Sequence, residues 1–217
     1  IKERLISRDD LRLENARLHT ENLILHAKVQ KLNALTIENI RLRELLNSTR
    51  TTEENALVAE IISVSPDPFN HFVVINKGRK DGAYVSQTVV DSNGLFGQIT
   101  EVSEKTSKIM LISDARHGVP IQVDRNGVRL IVEGMGDFLR LQLPFVTVTT
   151  DIVQGDVLTT SGLGGIFPPN YPVARVVEVK HDPGQAFAEV LAEPFAQLSR
   201  TRNVLLLFNR QTAHDEN

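Results

Sequence analysis

Leu11, Leu18, Leu25 and Leu32 stand seven residues apart, and neither Gly nor Pro occurs before Pro66. A strict seven-residue leucine repeat draws one narrow apolar stripe along a helix. A helix lying on its own globular core needs a wider apolar face. The spacing therefore predicts a two-stranded coiled coil. With these leucines at d, the a positions are Asn15, Asn22 and Val29. A three-residue step from Leu32 to Leu35 restarts the seam, with Leu42 at d and Asn39 and Leu46 at a; such a step locally overwinds the coil. An asparagine at a is satisfied only by its counterpart in register, so it selects a parallel, in-register homodimer at some cost in stability. His19 and His26 are also seven apart, a spacing that suits solvated positions better than a metal pair.

The pattern changes near residue 50. Residues 1–50 carry 10 Lys+Arg against 7 Asp+Glu, a net of +3, while the other 14 Lys+Arg and 20 Asp+Glu give −6. The polar stretch 47–55 reads as the helix end followed by a linker at 51–55. Beyond it come short β runs: 56–64, 71–77, 87–91, 95–102, 107–113, 119–123, 128–134, 139–143, 156–160, 173–179, 187–194 and 203–208. Turn residues separate them every few positions, which is the signature of an all-β sandwich or barrel. "DSNG" (91–94) and "DRNG" (124–127) predict Asn-Gly hairpins with positive φ. A weak internal echo relates "DGAYVSQTVV…GLFGQITEV" to "QGDVLTTS…YPVARVVEV", with Gly82 set against Gly155.

Composition narrows the function. The net charge of −3, the absence of Trp and an aromatic content of 5% argue against a nucleic-acid binder and give little stock for stacking sugars in a peptidoglycan-binding module. With no Cys, disulfides and thiolate metal sites are excluded. No cofactor-binding, catalytic or metal motif stands out, and no run of about 18 apolar residues marks a membrane span. The start at Ile1, already in charged helical sequence, reads as a fragment with its anchor upstream.

The glycine-rich run "TTSGLGGIFPPN" (159–170) invites chemistry. A chymotrypsin-like serine hydrolase would take His71, Asp114 and Ser161 in that chain order, with His117 as another base. The residues before Ser161 are Thr159-Thr160, not the Gly-Asp of such proteases, and His71 begins a strand-like run. A phosphate loop would need Lys and a helix after its last glycine; Ile166-Phe167-Pro168-Pro169 follows instead. Gly162, Gly164, Gly165 and Pro168 are read as a structural loop, with Phe167 and the prolines pinning it to a barrel face.

The stretches "VVINKGRKDGAYVSQTVVDSNGLFGQI", "SKIMLISDARHGVPIQVDRNGVRLIVEG" and "GDVLTTSGLGGIFPPNYPVARV" resemble the extracytoplasmic part of the rod shape-determining MreC family, in its proteobacterial form. That resemblance implies a mainly β fold of two small six-stranded barrels, chymotrypsin-like in architecture without catalytic residues, behind a coiled-coil helix. The expected boundaries are a coil at 1–50, a first barrel at 56–115 closed by the returning strand 203–208, a second barrel at 116–202, and a tail at 209–217. It also implies a non-enzymatic scaffold of cell elongation on the periplasmic face of the inner membrane, held by a membrane helix upstream of this chain. Its partners would be a second copy and higher self-assemblies, the elongation-specific penicillin-binding transpeptidase, RodA, MreD and MreB.

Overall fold

The computed structural model describes residues 8–45, 56–65, 67, 70–182 and 184–208, and within the helix the side chains of residues 11–36. The expected ends of the coil at 1–7 and 46–50, Leu46 included, the linker 51–55 and the tail 209–217 lie outside the described residues, as do the side chains of Asn39 and Leu42. The chain divides into two compact units, residues 1–53 and 54–217. The first holds one helix, α1 (Arg8–Leu45), of 38 residues. At 1.5 Å per residue it is about 57 Å long and runs through the Leu32–Leu35 step without a break.

Among the described residues the second unit holds twelve strands: β1 (Ala56–Val64), β2 (Phe72–Ile75), β3 (Thr88–Val90), β4 (Leu95–Val102), β5 (Ser107–Leu111) and β6 (Gly118–Val123), then β7 (Arg129–Asp137), β8 (Arg140–Thr147), β9 (Val157–Thr160), β10 (Pro172–Lys180), β11 (Phe187–Pro194) and β12 (Asn203–Leu207). They form two closed six-stranded barrels, as the resemblance implies. The first runs β1-β12-β3-β4-β5-β2 and the second β10-β11-β8-β7-β6-β9. Alternating inward side chains fill each barrel: Ile109 and Leu111 on β5, Val119, Ile121 and Val123 on β6, and Leu141, Leu143 and Val146 on β8 are buried.

The two barrels share one plan. Taking β12 as the first strand of the first barrel, with β1 to β5 following, gives the same cyclic order as β6 to β11 in the second. The chain's last strand thus occupies the place that β6 holds in the other barrel. The sequence echo falls on matching strands, β3–β4 against β9–β10. Both pairs carry a bulge at the same point, between Ile99 and Glu101 on β4 and between Val176 and Glu178 on β10. The register corrects the glycine pairing, because Gly155 is matched by Ser86 and not by Gly82. Ser86 N donates to Ile99 O and Gly155 N to Val176 O, and both residues have positive φ, 69° and 95°. The same turn is closed by a side chain in both copies: Gln87 Oε1 accepts from Tyr84 N at 3.1 Å, and Asp156 Oδ2 from Val153 N at 2.9 Å.

The Asn-Gly turns differ from expectation. At 124–127 the positive φ belongs to Gly127 (71°) and not to Asn126. At 91–94 neither Asn93 nor Gly94 takes it; instead Asp91 Oδ1 accepts from the Asn93 and Gly94 amides at 2.8 and 2.9 Å. Gly94 is needed for another reason. A Cβ there would lie 2.5 Å from Pro172 O at the start of β10, so the glycine lets the first barrel approach the second. Asp91 Oδ2 adds to the same joint by accepting from Gln197 N (2.7 Å) and Thr201 Oγ1 (3.0 Å) in the segment that leads to β12.

Gly94→Ala is expected to push the barrels apart at a backbone contact that cannot rotate away, a cost of about 1–3 kcal/mol. For a chain of this size that corresponds to a Tm lower by roughly 3–10 °C in calorimetry, with far-UV circular dichroism below the transition unchanged.

Candidate functional site

Two places in the chain carry unusual groupings. One is the leucine seam of α1. Leu11, Leu18, Leu25 and Leu32 are 56%, 55%, 54% and 62% exposed, and Val29 and Leu35 are likewise more than half uncovered. The a-position residues Asn15 and Asn22 are exposed between them. Among the described residues this apolar row is left uncovered, and burying each leucine against another helix is worth roughly 1.5–3 kcal/mol.

The other place is the junction between the barrels, where the chain passes from β5 to β6 through residues 112–117. Asp114 anchors this segment. Its carboxylate is wholly buried and accepts from the backbone N–H of His71 (3.0 Å) and from the backbone N–H of Arg116 (3.0 Å). It also accepts from the Arg116 guanidinium through Nε and Nη2, at 2.9 and 2.8 Å. The Arg116 side-chain bond, ahead of the backbone donors and against the effect of burial, holds the Asp114 pKa down to about 2. His71 Nδ1 meets Ser113 Oγ at 2.9 Å, and its ring stacks on Phe138 of the second barrel with centroids 4.0 Å apart and planes 5° from parallel. The backbone of β7 covers the segment: Gly134 N donates to His117 O (3.2 Å) and Gly136 N to Ser113 O (2.9 Å). A Cβ on Gly134 would lie 2.2 Å from Asp114 O.

The glycine-rich loop closes over this junction. Gly162, Gly164 and Gly165 have φ of 74°, 77° and 70°, a left-handed conformation that glycine adopts without strain. The loop crosses to the first barrel, where Thr88 Oγ1 donates to Ile166 O at 3.1 Å. Thr160 Oγ1 donates to Pro168 O, Pro169 packs on Gly162, and Phe167 is buried with its ring edge-on to His117, centroids 6.0 Å apart.

The hydrolase reading fails on this geometry. His71 and Asp114 are neighbours, but the carboxylate takes the histidine's backbone N–H while the ring nitrogen Nδ1 faces Ser113. A triad needs the acid on one ring nitrogen and a reachable serine on the other. Ser113 is fully buried. Ser161 Oγ accepts from Leu163 N at 3.3 Å in a local turn, and the Ser161 amide donates to Pro120 O. Among the described residues no group of three or more His, Cys, Asp or Glu side chains could hold a metal ion.

One feature escapes sequence reading. Phe145 on β8 has φ of 60°, a conformation that costs a non-glycine residue on the order of 1–2 kcal/mol, and it is 76% exposed. Its ring lies edge-on to the half-exposed Phe187 of β11, centroids 5.7 Å apart. The signal is Pro144, which interrupts the alternation of β8 and creates a bulge opposite Glu189. Strained, exposed aromatics concentrate at contact surfaces.

With the triad gone, what remains is a pair of closed barrels on one plan, the first completed from the far end of the chain, behind a helix whose seam is uncovered. These features define a helix-and-double-barrel class of protein. The family described as "Rod shape-determining protein MreC, barrel core" matches residues 61–208, and the chain belongs to the MreC family. It is 45% identical over 208 residues to the cell shape-determining protein MreC of Haemophilus influenzae, covering 96% of this chain and 59% of that one. The crystal structure of MreC from Pseudomonas aeruginosa is similar at 49% identity and a TM-score of 0.69, covering 71% of this chain and 99% of that one. A complex between penicillin-binding protein PBP2 and MreC from Helicobacter pylori contains a chain with the same fold, at 20% identity and a TM-score of 0.58, covering 73% of this chain and 100% of that one. The chain spans 59% and 57% of the length of the MreC proteins of Haemophilus influenzae and Escherichia coli that it matches.

The Asp114–Arg116 pair has a defined pH signature. A carboxylate held below its ordinary value of 3.8 contributes stability that is present above that value and vanishes as pH falls through about 2. Arg116→Ala is therefore expected to raise the Asp114 pKa in carboxyl carbon-13 NMR. The Tm deficit of this variant should be largest near neutrality and should shrink below about pH 3.8.

Proposed function

We propose that this chain is the working part of a non-enzymatic periplasmic scaffold of the cell elongation machinery. It dimerises through the seam of α1 and organises or activates peptidoglycan synthases through its barrels. The observation that carries this reading is the uncovered leucine row: a polar helix about 57 Å long with an apolar seam needs a second helix, and the asparagines at a favour a parallel copy of itself. A parallel coil would set two double barrels side by side and raise the local concentration of whatever they bind.

Barrel closure constrains how partners attach. Open strand edges, which would allow a partner to add a strand, are removed by the two closed barrels among the described residues, so contact falls to surface patches. The strained Phe145 with Phe187 is the patch we assign to an elongation-specific penicillin-binding transpeptidase. Support for that partner comes from the Helicobacter pylori relative, whose structure is a complex with PBP2. RodA, MreD and MreB complete the proposed assembly through the family resemblance, and an upstream membrane helix would hold the chain at the periplasmic face of the inner membrane. No helix among the described residues is long and apolar enough to cross a membrane itself.

Replacing both Leu18 and Leu25 with Asp should convert a dimer into a monomer in sedimentation velocity, with the barrels still folded. A dimer that survives both substitutions would place self-association elsewhere. Phe145→Gly removes the exposed ring and the backbone strain together. It is expected to leave Tm unchanged or slightly raised while weakening binding of the purified transpeptidase roughly tenfold or more in surface plasmon resonance, the effect of losing an aromatic anchor.

A further inference from the structure

His117 lies at the centre of the barrel junction with 5% of its surface exposed, and neither ring nitrogen has a hydrogen-bond partner. A neutral imidazole always carries one N–H donor and one bare acceptor, so burial without partners is costly. Protonation worsens this, because both nitrogens then carry N–H groups and the ring a full charge.

The surroundings offer that charge partial relief, from Asp114. From its own segment, His117 faces Asp114, whose carboxylate is already engaged by Arg116 and by the His71 amide. The glycine-rich loop presents Phe167 and has no ionisable side chain anywhere in 161–170. β7 packs on it through the backbone of Gly134, flanked by the half-buried Glu133, and the nearby end of β2 contributes His71, which is committed to Ser113 and Phe138.

We propose that the barrel junction is an acid-operated joint: a proton taken up by His117 expels its ring from beneath Phe167, lifts the glycine-rich loop, and frees the two folded barrels to reorient. The loop suits this role. Its three left-handed glycines give it freedom to rearrange. It also bridges the barrels through Thr88 and Ile166, beside the Phe138 stack and the Gly94 contact.

The direction follows from the linkage between proton binding and conformation. Burial, with Asp114 acting in the opposite sense, pushes the His117 pKa from 6.5 down to about 4 in the closed junction. In an open junction the solvated ring returns toward 6.5. The neutral ring's contribution to closure is thus fully present above that value and is lost as pH falls through about 4. The open-to-closed ratio rises about 30-fold at pH 5, and approaches about 300-fold below pH 4.

The chain has no Cys, so Lys105→Cys and Gln154→Cys place a single pair of spin labels, one on each barrel at exposed positions. Double electron–electron resonance is read from pH 7.5 to pH 4, with excess unlabelled chain to dilute contacts between copies. Carbon-13 histidine spectra follow the His117 ring in parallel. The expected result is one narrow distance at pH 7.5 that gives way to a broader or shifted distribution in step with His117 protonation, with the far-UV circular dichroism of the barrels retained. In His117→Phe the narrow distance should persist at both extremes, and His117→Asn serves if the phenylalanine variant does not fold. The proposal is overturned if the distance stays fixed after His117 has taken up its proton. It is equally overturned if the shift survives removal of the histidine, or if barrel structure is lost at the same pH.

Discussion

The arrangement of the second unit rests on one buried carboxylate. Asp114 sits where the chain leaves the first barrel and gathers the backbone N–H of His71, just before β2, and the backbone and guanidinium N–H groups of Arg116. With those bonds made, Ser113 and His117 are held against β7, where only glycine at 134 leaves room for the passing backbone. The Phe138 stack and the glycine-rich loop reach this point through His71 and His117. His71 and Asp114, which look from sequence like parts of a hydrolase, are better understood as the fastenings of a joint.

The shared plan of the barrels explains several oddities together. The turn before β3 and the turn before β9 are closed by the same device, a side chain that accepts from the amide three residues back. In the second barrel that side chain is Asp156, and its carboxylate also receives Arg125 at 2.8 Å. In the first it is Gln87, whose buried amide nitrogen is left without a partner. The orphaned nitrogen thus sits at the place where the other copy carries an ion pair. The glycine-rich loop likewise corresponds to the short 91–94 turn, lengthened in the second barrel until it reaches the first.

Local signals in the sequence reveal the elements well and their assembly poorly. Leucine spacing marks α1 because a helix repeats within a few residues, and Gly, Pro, Asn and Asp mark the ends of twelve strands because turns are decided within four. The order of strands around each barrel is decided by pairings such as Ala56 with Leu207, which no short-range pattern encodes. "DSNG" shows how a local rule yields to a distant contact: its glycine answers to Pro172 and not to the turn. Phe145 is hidden for a related reason, since its exposure and φ follow from a bulge defined by the partner strand. At the junction the sequence supplies polar and aromatic residues scattered from 71 to 167, and only the fold reveals that they meet.

Closure by β12 has a consequence for how the molecule is made. A ribosome or translocon delivers β1 through β5 long before Asn203–Leu207 exist, so the emerging first barrel is a five-stranded sheet with β1 and β3 bare along one side. Bare strands of that kind are templates for wrong pairing until they are filled. The intervening barrel, whose six strands are contiguous in the chain, can complete itself meanwhile and then deliver the last strand to its slot. Truncation by even a handful of residues before Leu207 would therefore harm the start of the barrel region more than its end.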